Sequence, residues 1–352
     1  MYLTFRYRIK DATSGKHLDR LAIQVNQVWN FCGGAQDHAR RHNRRWPNYV
    51  QLAVLTSNSS KELGLHSDSV QDVLKHWIKA RDAARRRPRW RASFGAKRAL
   101  GWIPFQTGRA IQVRGDTAVF LGRKFRLWLS RPIPSGIRSG SFSQDALGRW
   151  YLNLVCKVEA DLPAGKDETG IDLGLHDTAS MSNGEKIQNP RYVSKAAKNL
   201  ARAQRAARKA LARKIHRKIA AQRRHFLHVL TSRLARANAL VVVGDVNSAA
   251  LARTRMAKSV LDAGWTTFRS MLRYKLAMRH GARFVETNER YSTQTCCACG
   301  ARTGPRGIAG LRVREWECSS CGAVHDRDIN AARNILVSGR NVALHSTEIP
   351  AL

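Results

Sequence analysis

Acidic residues are what this chain has least of. It carries 25 Asp and Glu against 62 Lys and Arg in 352 residues, a formal net charge of +37. Self-repulsion on that scale is tolerated mainly when the partner is a polyanion. A membrane surface is the rival destination, but the basic residues run along the whole chain, so nucleic acid is the expected partner and no membrane is. Long apolar runs are missing as well. No stretch approaches the ~18 residues that suggest a membrane span, and the opening MYLTFRYRIK lacks the apolar segment of a secretion signal. A cytoplasmic location follows as an expectation. The length suggests two to four domains, and a monomer is the default expectation.

Cysteine is scarce outside one short stretch. Cys32 and Cys156 stand alone in apolar surroundings and read as core. The other five crowd together. Cys296-Cys-Ala-Cys299 and Cys318-Ser-Ser-Cys321 form two CxxC pairs, each followed by a glycine, Gly300 or Gly322. Four thiolates at this spacing make a tetrahedral structural zinc site with no position left for a catalytic water. Cys297 reads as a bystander. The loop between the pairs holds Arg302, Arg306, Arg312 and Arg314, which either meet phosphate or are simply solvated.

Periodicity places the elements. A strand and turn occupy 1–15, and a helix over 16–43 puts Leu18, Leu21, Ala22, Val25, Val28 and Trp29 on one face. A second helix from about residue 68 carries Val70, Val73, Leu74, Trp77 and Ile78 and ends in a basic run before Pro88. Arg86 and Arg87 in that run are candidate nucleic-acid contacts. Trp29, Trp77 and Trp102 read as core before they read as base-stacking platforms. Residues 108–160 alternate apolar with polar, a small antiparallel sheet or barrel. ETGIDLGLHDTASMSNGEKI reads as two strands joined by a turn at Asn183-Gly184.

No acid occurs between Glu185 and Asp245. Within that span an Ala-, Arg- and Lys-rich segment predicts one long helix. Charge of one sign along a helix repels itself, so Arg202, Arg205, Lys209, Arg213 and Arg217 are expected to track phosphates. Leu240 to Val243 then form a buried strand that runs into Gly244, Asp245 and Asn247. A helix over 258–280 follows, with Leu261, Trp265, Phe268 and Leu272 on one side and Gly281 ending it. ARFVETNERY is a further strand.

The few acids are placed where chemistry would need them. Asp172 lies between Ile171 and Leu173 on a strand, facing away from both, with Gly170 and Gly174 leaving room for a phosphate or metal. Asp326 and Asp328 follow the last CxxC pair. Asp328 can cap the helix that starts near Ile329, but capping alone needs neither the second acid nor Asn330. Metal-dependent phosphodiester cleavage needs several convergent carboxylates to hold one or two magnesium ions.

GIDLGLHDTASMSNG, the apolar strand before Gly244, KSVLDAGWTTFRSMLRYK and STQTCCACG…WECSSCGAVHDRDINAARNIL occur in order. This set resembles the TnpB family, transposon-encoded RNA-guided nucleases related to compact type V CRISPR effectors. The resemblance implies an α/β multidomain chain. An oligonucleotide-binding wedge barrel (1–15 and 101–160) would hold an inserted helical recognition lobe (16–100). An RNase H-like RuvC domain (168–290 and 325–340) would hold a zinc ribbon (291–324), with a tail over 341–352. It implies a guide RNA, called reRNA or ωRNA, pairing with one strand of double-stranded target DNA beside a short motif that the protein reads. Phe5, Tyr7 and residues 106–114 would line that motif-reading surface, and Arg327 would contact nucleic acid. Asp172 becomes the first RuvC acid and Asp328 the last, both on Mg2+ or Mn2+, with Asp326 in support. A prokaryotic cytoplasm, with the protein on the nucleoid when bound, is implied.

One departure raises the central question. The family has Glu, Asp and Asn at the strand tip where this chain has Gly244, Asp245 and Val246 before Asn247. Three answers compete: a dead nuclease that only binds, local substitution by Asp245, or a glutamate arriving from the strand that follows. Val285, Thr287 and Glu289 share one face of that strand; Phe284, Glu286 and Asn288 share the other. Glu289, at its end, is favoured over Glu286. The chain is therefore expected to be an RNA-guided DNA endonuclease. A nuclease-inactive RNA-guided repressor is the alternative, and a transposase accessory protein the weaker one.

Overall fold

The computed structural model describes residues 1–106, 110–246, 257–310 and 312–345. It divides into two compact units, residues 1–158 and 159–352.

In the first unit, strand β1 (Tyr2–Ile9) is followed by helices α1 (Ala12–Arg41), α2 (Tyr49–Leu55), α3 (Ser59–Glu62) and α4 (Ser67–Ala84). Then come β2 (Trp102–Gln106), β3 (Ile111–Arg114), β4 (Thr117–Phe120), β5 (Arg123–Trp128), β6 (Ile137–Gln144) and β7 (Trp150–Lys157). The Asp11 carboxylate accepts from the Ser14 N–H and starts α1. The expected stripe on α1 is buried except Trp29, which is half-buried. The strands form one antiparallel sheet in the order β2-β6-β7-β1-β5-β4-β3. It curls: Phe105 on β2 meets Phe120 on β4 at 5.6 Å between centroids, although five strands separate β2 from β3 in the ladder. No β2–β3 ladder is found among the described residues, which leave out 107–109 between these two strands.

Tyr7 was expected at the surface and faces inward. Tyr7 is 1% exposed, with its hydroxyl donating to the Pro132 carbonyl, so it does not line a motif-reading surface. Arg91, beside the basic run, bonds Asn26 and the Leu100 carbonyl and lies over the Trp29 and Trp102 rings. Arg87 lies 3.4 Å from the Asp37 carboxylate, while Arg86 is exposed. Trp77 is fully buried. Within residues 106–114, 107–109 lie outside the described residues.

The second unit starts with β8 (Leu162–Pro163), β9 (Asp167–Asp172), β10 (Asp177–Met181) and β11 (Lys186–Gln188). Helices α5 (Tyr192–Arg205) and α6 (Lys209–Ala237) lead into β12 (Asn238–Gly244). After α7 (Ala257–Ala263) and α8 (Trp265–Ala277) come β13 (Arg279–His280) and β14 (Arg283–Thr287). The short helix α9 (Gly307–Gly310), strands β15 (Glu315–Glu317) and β16 (Val324–Asp326), and helix α10 (Arg327–His345) complete it. The main sheet has the order β11-β10-β9-β12-β14. β11, β10 and β9 are antiparallel, whereas β9, β12 and β14 run parallel. β12 is central, which explains its unbroken apolar run. Val241 and Val243 pack into the core with α6 and α8, and Leu240 and Val242 pack with Ile335 of α10.

Four expectations about local structure are corrected here. Two strands become three, because residues 173–176 turn the chain back before the Asn183-Gly184 turn does so again. The single long basic helix is two, broken around Ala207, whose φ is +49°. The two pack together with Ala203 and Ile219 buried, and no glycine or proline marks the break. The helix expected over 258–280 breaks at Gly264 (φ +68°) and ends at Ala277, and Leu261 is 64% exposed rather than on the buried face. The closeness at Gly170 serves packing, not a ligand: a Cβ there would lie 2.1 Å from the Ala332 carbonyl oxygen of α10. No described helix is long and apolar enough to cross a membrane.

Candidate active site and metal centre

Three chain segments meet at one end of the parallel strands. Asp172 is the last residue of β9, Glu289 lies two residues beyond β14, and Asp328 is in the first turn of α10. All three line one cleft of about 540 Å³, together with His176, Asp177, Trp265, Arg314 and Arg327. β9 and β14 flank β12, so its tip lies between the first two acids.

At that tip, Gly244 explains itself. An ideal Cβ built on Gly244 would lie 2.7 Å from Glu289 Oε2 and 3.2 Å from Glu289 Cβ. The Glu289 side chain thus occupies the space a side chain at 244 would need. Strand parity places it there. Phe284 packs toward α8, while Val285 packs with Ile335 of α10 and Thr287 bonds Ser338 of α10 at 2.7 Å. Glu289 continues the second face. Glu286 lies on the first, in an ion pair with Arg273 at 2.8 Å, and does not line the cleft. Asp245 does not line it either; its Oδ1 accepts the Glu289 N–H at 3.3 Å.

The electrostatics point the same way. Loss of water contact, then the nearby Asp328 and Glu289 carboxylates, push the Asp172 carboxyl up to about 7, against a smaller pull from Arg327. Burial, then Asp245, raises Glu289, with Arg269 opposing. Crowded acids that resist ionising together are a fit for a hard divalent cation with oxygen ligands.

Asp326 departs from expectation. Burial pushes its carboxyl up, but the Lys186 ammonium at 2.6 Å and the N–H groups of Asp328 and Ile329 together hold it down. Its Oδ1 accepts the Asp328 and Ile329 N–H groups, so Asp326 and not Asp328 caps α10. Asp328 therefore stays turned to the cleft, with Arg314 at a long 3.4 Å.

The four ribbon cysteines form a tighter group. The sulfurs of Cys296, Cys299, Cys318 and Cys321 all lie within 4.8 Å of one another, and among the described residues no cluster of acids is gathered so closely. Gly300 and Gly322 take φ of +79° and +70° and close the two knuckles, donating to the Cys296 and Cys318 carbonyls. Thr303 Oγ1 donates to Cys318 Sγ at 3.1 Å and holds that thiol down at about 6. These four sulfurs can hold one metal ion.

Three residues have partners that the sequence did not reveal. His325 is buried, 3.0 Å from Cys296 Sγ through Nε2 and against the Trp316 ring. Asn330, 1% exposed, accepts the Cys297 N–H and donates to the Ser292 and Thr295 carbonyls; Asn334 donates to the same two. They pin the segment between Glu289 and the ribbon onto α10. The signal was present in the HDRDINAARN run, but amide bonds to a distant backbone have no sequence pattern.

The expected phosphate-tracking residues Arg202, Arg205, Lys209 and Arg213 are exposed, and none is in a described ion pair; Arg217 is half-buried. Arg327 lines the cleft and donates to the Gly310 carbonyl.

Comparison with known proteins finds two matching family models and several relatives. The "Probable transposase" model (OrfB_IS605) matches residues 153–255, and the "Cas12f1-like, TNB domain" model matches 265–335. A Streptomyces pristinaespiralis protein named "Putative RNA-guided DNA endonuclease" is 40% identical over 60% of this chain and 55% of its own length. Escherichia coli InsQ, of the same description, is 26% identical over 60% of this chain and 59% of its own. A mimivirus "TnpB-like protein", L79, is 24% identical over 60% and 45%. A solved "Cas12f1-sgRNA-target DNA complex" aligns over 96% of this chain and 99% of that one at 14% identity and a TM-score of 0.36, which is too low to argue from. Residues 153–255 are thus similar to the OrfB_IS605 family and residues 265–335 to the Cas12f1-like TNB domain. The chain spans about half the length of the curated relatives it matches.

Proposed function

We propose that this chain is an RNA-guided DNA endonuclease with a RuvC-type site in which the second acid has moved from position 244 to Glu289. The observation that carries this is the Glu289 carboxyl filling the space in front of Gly244, in the cleft shared with Asp172 and Asp328. The sheet order, three antiparallel strands continued by two parallel ones with acids at the tips, supports an RNase H-like domain. The first unit would supply wedge and recognition lobe, and residues 291–324 the zinc ribbon.

Asp172, Glu289 and Asp328 would hold Mg2+ or Mn2+, which supplies water activation and stabilisation of the leaving oxygen. The protein's own part is to converge three half-buried carboxylates on one cleft, to leave Asp328 turned to it by giving the cap to Asp326, and to bring Arg314 and Arg327 to the incoming phosphate. The four thiolates would hold structural zinc. Charge of +37 and the exposed basic faces of α5 and α6 suit a guide RNA of the reRNA type and double-stranded DNA next to a short adjacent motif. The missing acid at 244 favours a second reading, a non-cutting repressor with the same partners. One experiment separates them. The protein is co-purified with RNA transcribed from beside its own gene and assayed on a plasmid library with randomised flanks. Magnesium-dependent cutting that Asp172→Ala abolishes supports the nuclease; tight ternary complexes without cutting at any magnesium concentration support the repressor.

A further inference from the structure

The cleft holds a group that metal ligation does not use. His176 and Asp177 both line it, and His176 Nδ1 lies 3.1 Å from Asp177 Oδ2. A carboxylate oxygen can only accept, so Nδ1 donates, and the neutral ring carries its lone pair on Nε2. Among the described residues, Nε2 has no hydrogen-bond partner. Exposure separates their tasks: the His176 side chain is 68% exposed at the rim, whereas that of Asp177 is 12% exposed and fixed.

The connection from β9 to β10 is built to keep the pair in place. Asn189 Nδ2 donates to the Leu175 carbonyl at 3.1 Å. Gly174 passes so close to Asp177 that a Cβ there would lie 2.8 Å from the Asp177 carbonyl oxygen. His176 is thus held four residues after Asp172 by a tight turn. An imidazole oriented by a carboxylate at the mouth of an acid-lined cleft is an arrangement for moving a proton.

We propose that His176, oriented by Asp177, is the general base of the nuclease site. This rests on the nuclease reading above. A water oxygen forms the new bond to phosphorus while its proton passes to His176 Nε2. The bond from phosphorus to the leaving ester oxygen breaks, that oxygen keeps the electron pair, and bulk water protonates it. His176 then returns its proton to bulk water. The charged groups that line the cleft with His176 are Asp177 and Asp172 on its own hairpin, Glu289 after β14, Arg314 before β15, and Arg327 and Asp328 at the start of α10. Asp177 is the positioning residue of the pair.

Two measurements test this. In the metal-free full-length protein, ¹⁵N imidazole spectra identify His176 by the signal lost in His176→Gln. The expected neutral form is protonated at Nδ1, and Asp177→Ala mixes the two tautomers. In single-turnover cleavage with the cognate RNA, His176→Ala slows cutting about 10²-fold or more. Ternary-complex affinity stays within about twofold, one inflection of the pH profile is lost, and added imidazole restores part of the rate. Wild-type protein that cuts while His176→Ala cuts equally fast, or a loss that imidazole does not restore with the pH profile unchanged, overturns the role of His176 alone. Wild-type protein that never cuts overturns the nuclease reading and this role with it.

Discussion

The cysteine cluster and the carboxylate cleft gather their side chains in opposite ways. Ribbon ligands lie on two local knuckles, three residues apart within each, so their positions follow from short-range turns. The cleft takes its ligands from β9, from the loop after β14 and from the start of α10, segments brought together only by sheet order. A local site cannot lose a ligand without losing its geometry. A site at strand tips can exchange one, because a neighbouring strand reaches the same volume. In the site proposed above, the carboxyl in front of Gly244 comes from one strand over.

The largest expected effect lies on the ribbon side. Structural zinc is worth about 10–16 kcal/mol in small zinc domains, so stripping the metal with a chelator is expected to unfold residues 291–324. Hydrogen exchange should show protection lost there first and kept in β9 and β12. Equal loss everywhere would mean that the ribbon and the sheet are one cooperative unit.

On the cleft side, Asp172→Ala and Glu289→Ala are each expected to reduce cutting about 10³-fold or more, on the order of 4 kcal/mol of barrier, with RNA binding retained. Exchange of position sharpens this. Gly244→Glu alone would push the Glu289 carboxyl out of its place, because its Cβ would lie 2.7 Å from Glu289 Oε2. The double variant Gly244→Glu with Glu289→Gly should cut better than Glu289→Gly alone, by about tenfold or more. No gain would mean that the two positions do not share one volume.

A smaller effect concerns pH. The Asp172 carboxyl is raised in the folded state, from 3.8 to about 7. A raised folded value means that its contribution is full at low pH and fades as pH rises through about 4 to 7. Metal-free protein should therefore lose up to a few kcal/mol of stability across that window. Thermal melts of Asp172→Asn should show a flatter slope there, and magnesium should raise the wild-type Tm more at pH 8 than at pH 5. The smallest effects are expected for Asp245→Asn and Glu286→Gln, within about threefold in cutting rate, since neither lines the cleft.

The same contrast explains what could be read from the sequence. The CxxC pairs, the buried run from Leu240 to Val243 and the stripe on α1 are local patterns, and each was legible. Glu289 was reachable because alternation along β14 is a local rule, and the sheet order then fixes which face meets α10. Other features depend on non-local packing and left no mark. Gly170 accommodates the α10 backbone rather than a ligand. The cap belongs to Asp326 because Lys186 and two backbone N–H groups claim it. The break at Ala207 follows no glycine or proline, and Arg91 turns inward between two tryptophans.

The most direct test of the relocated acid is a structure of the full chain soaked or vitrified with Mn2+, read by the metal density and compared with Glu289→Gln. The relocation predicts manganese bonded by carboxylate oxygens of Asp172, Glu289 and Asp328, and a weakened or vacant position in the variant. Manganese held without Glu289, with that side chain turned to solvent and the variant binding metal equally well, would contradict it.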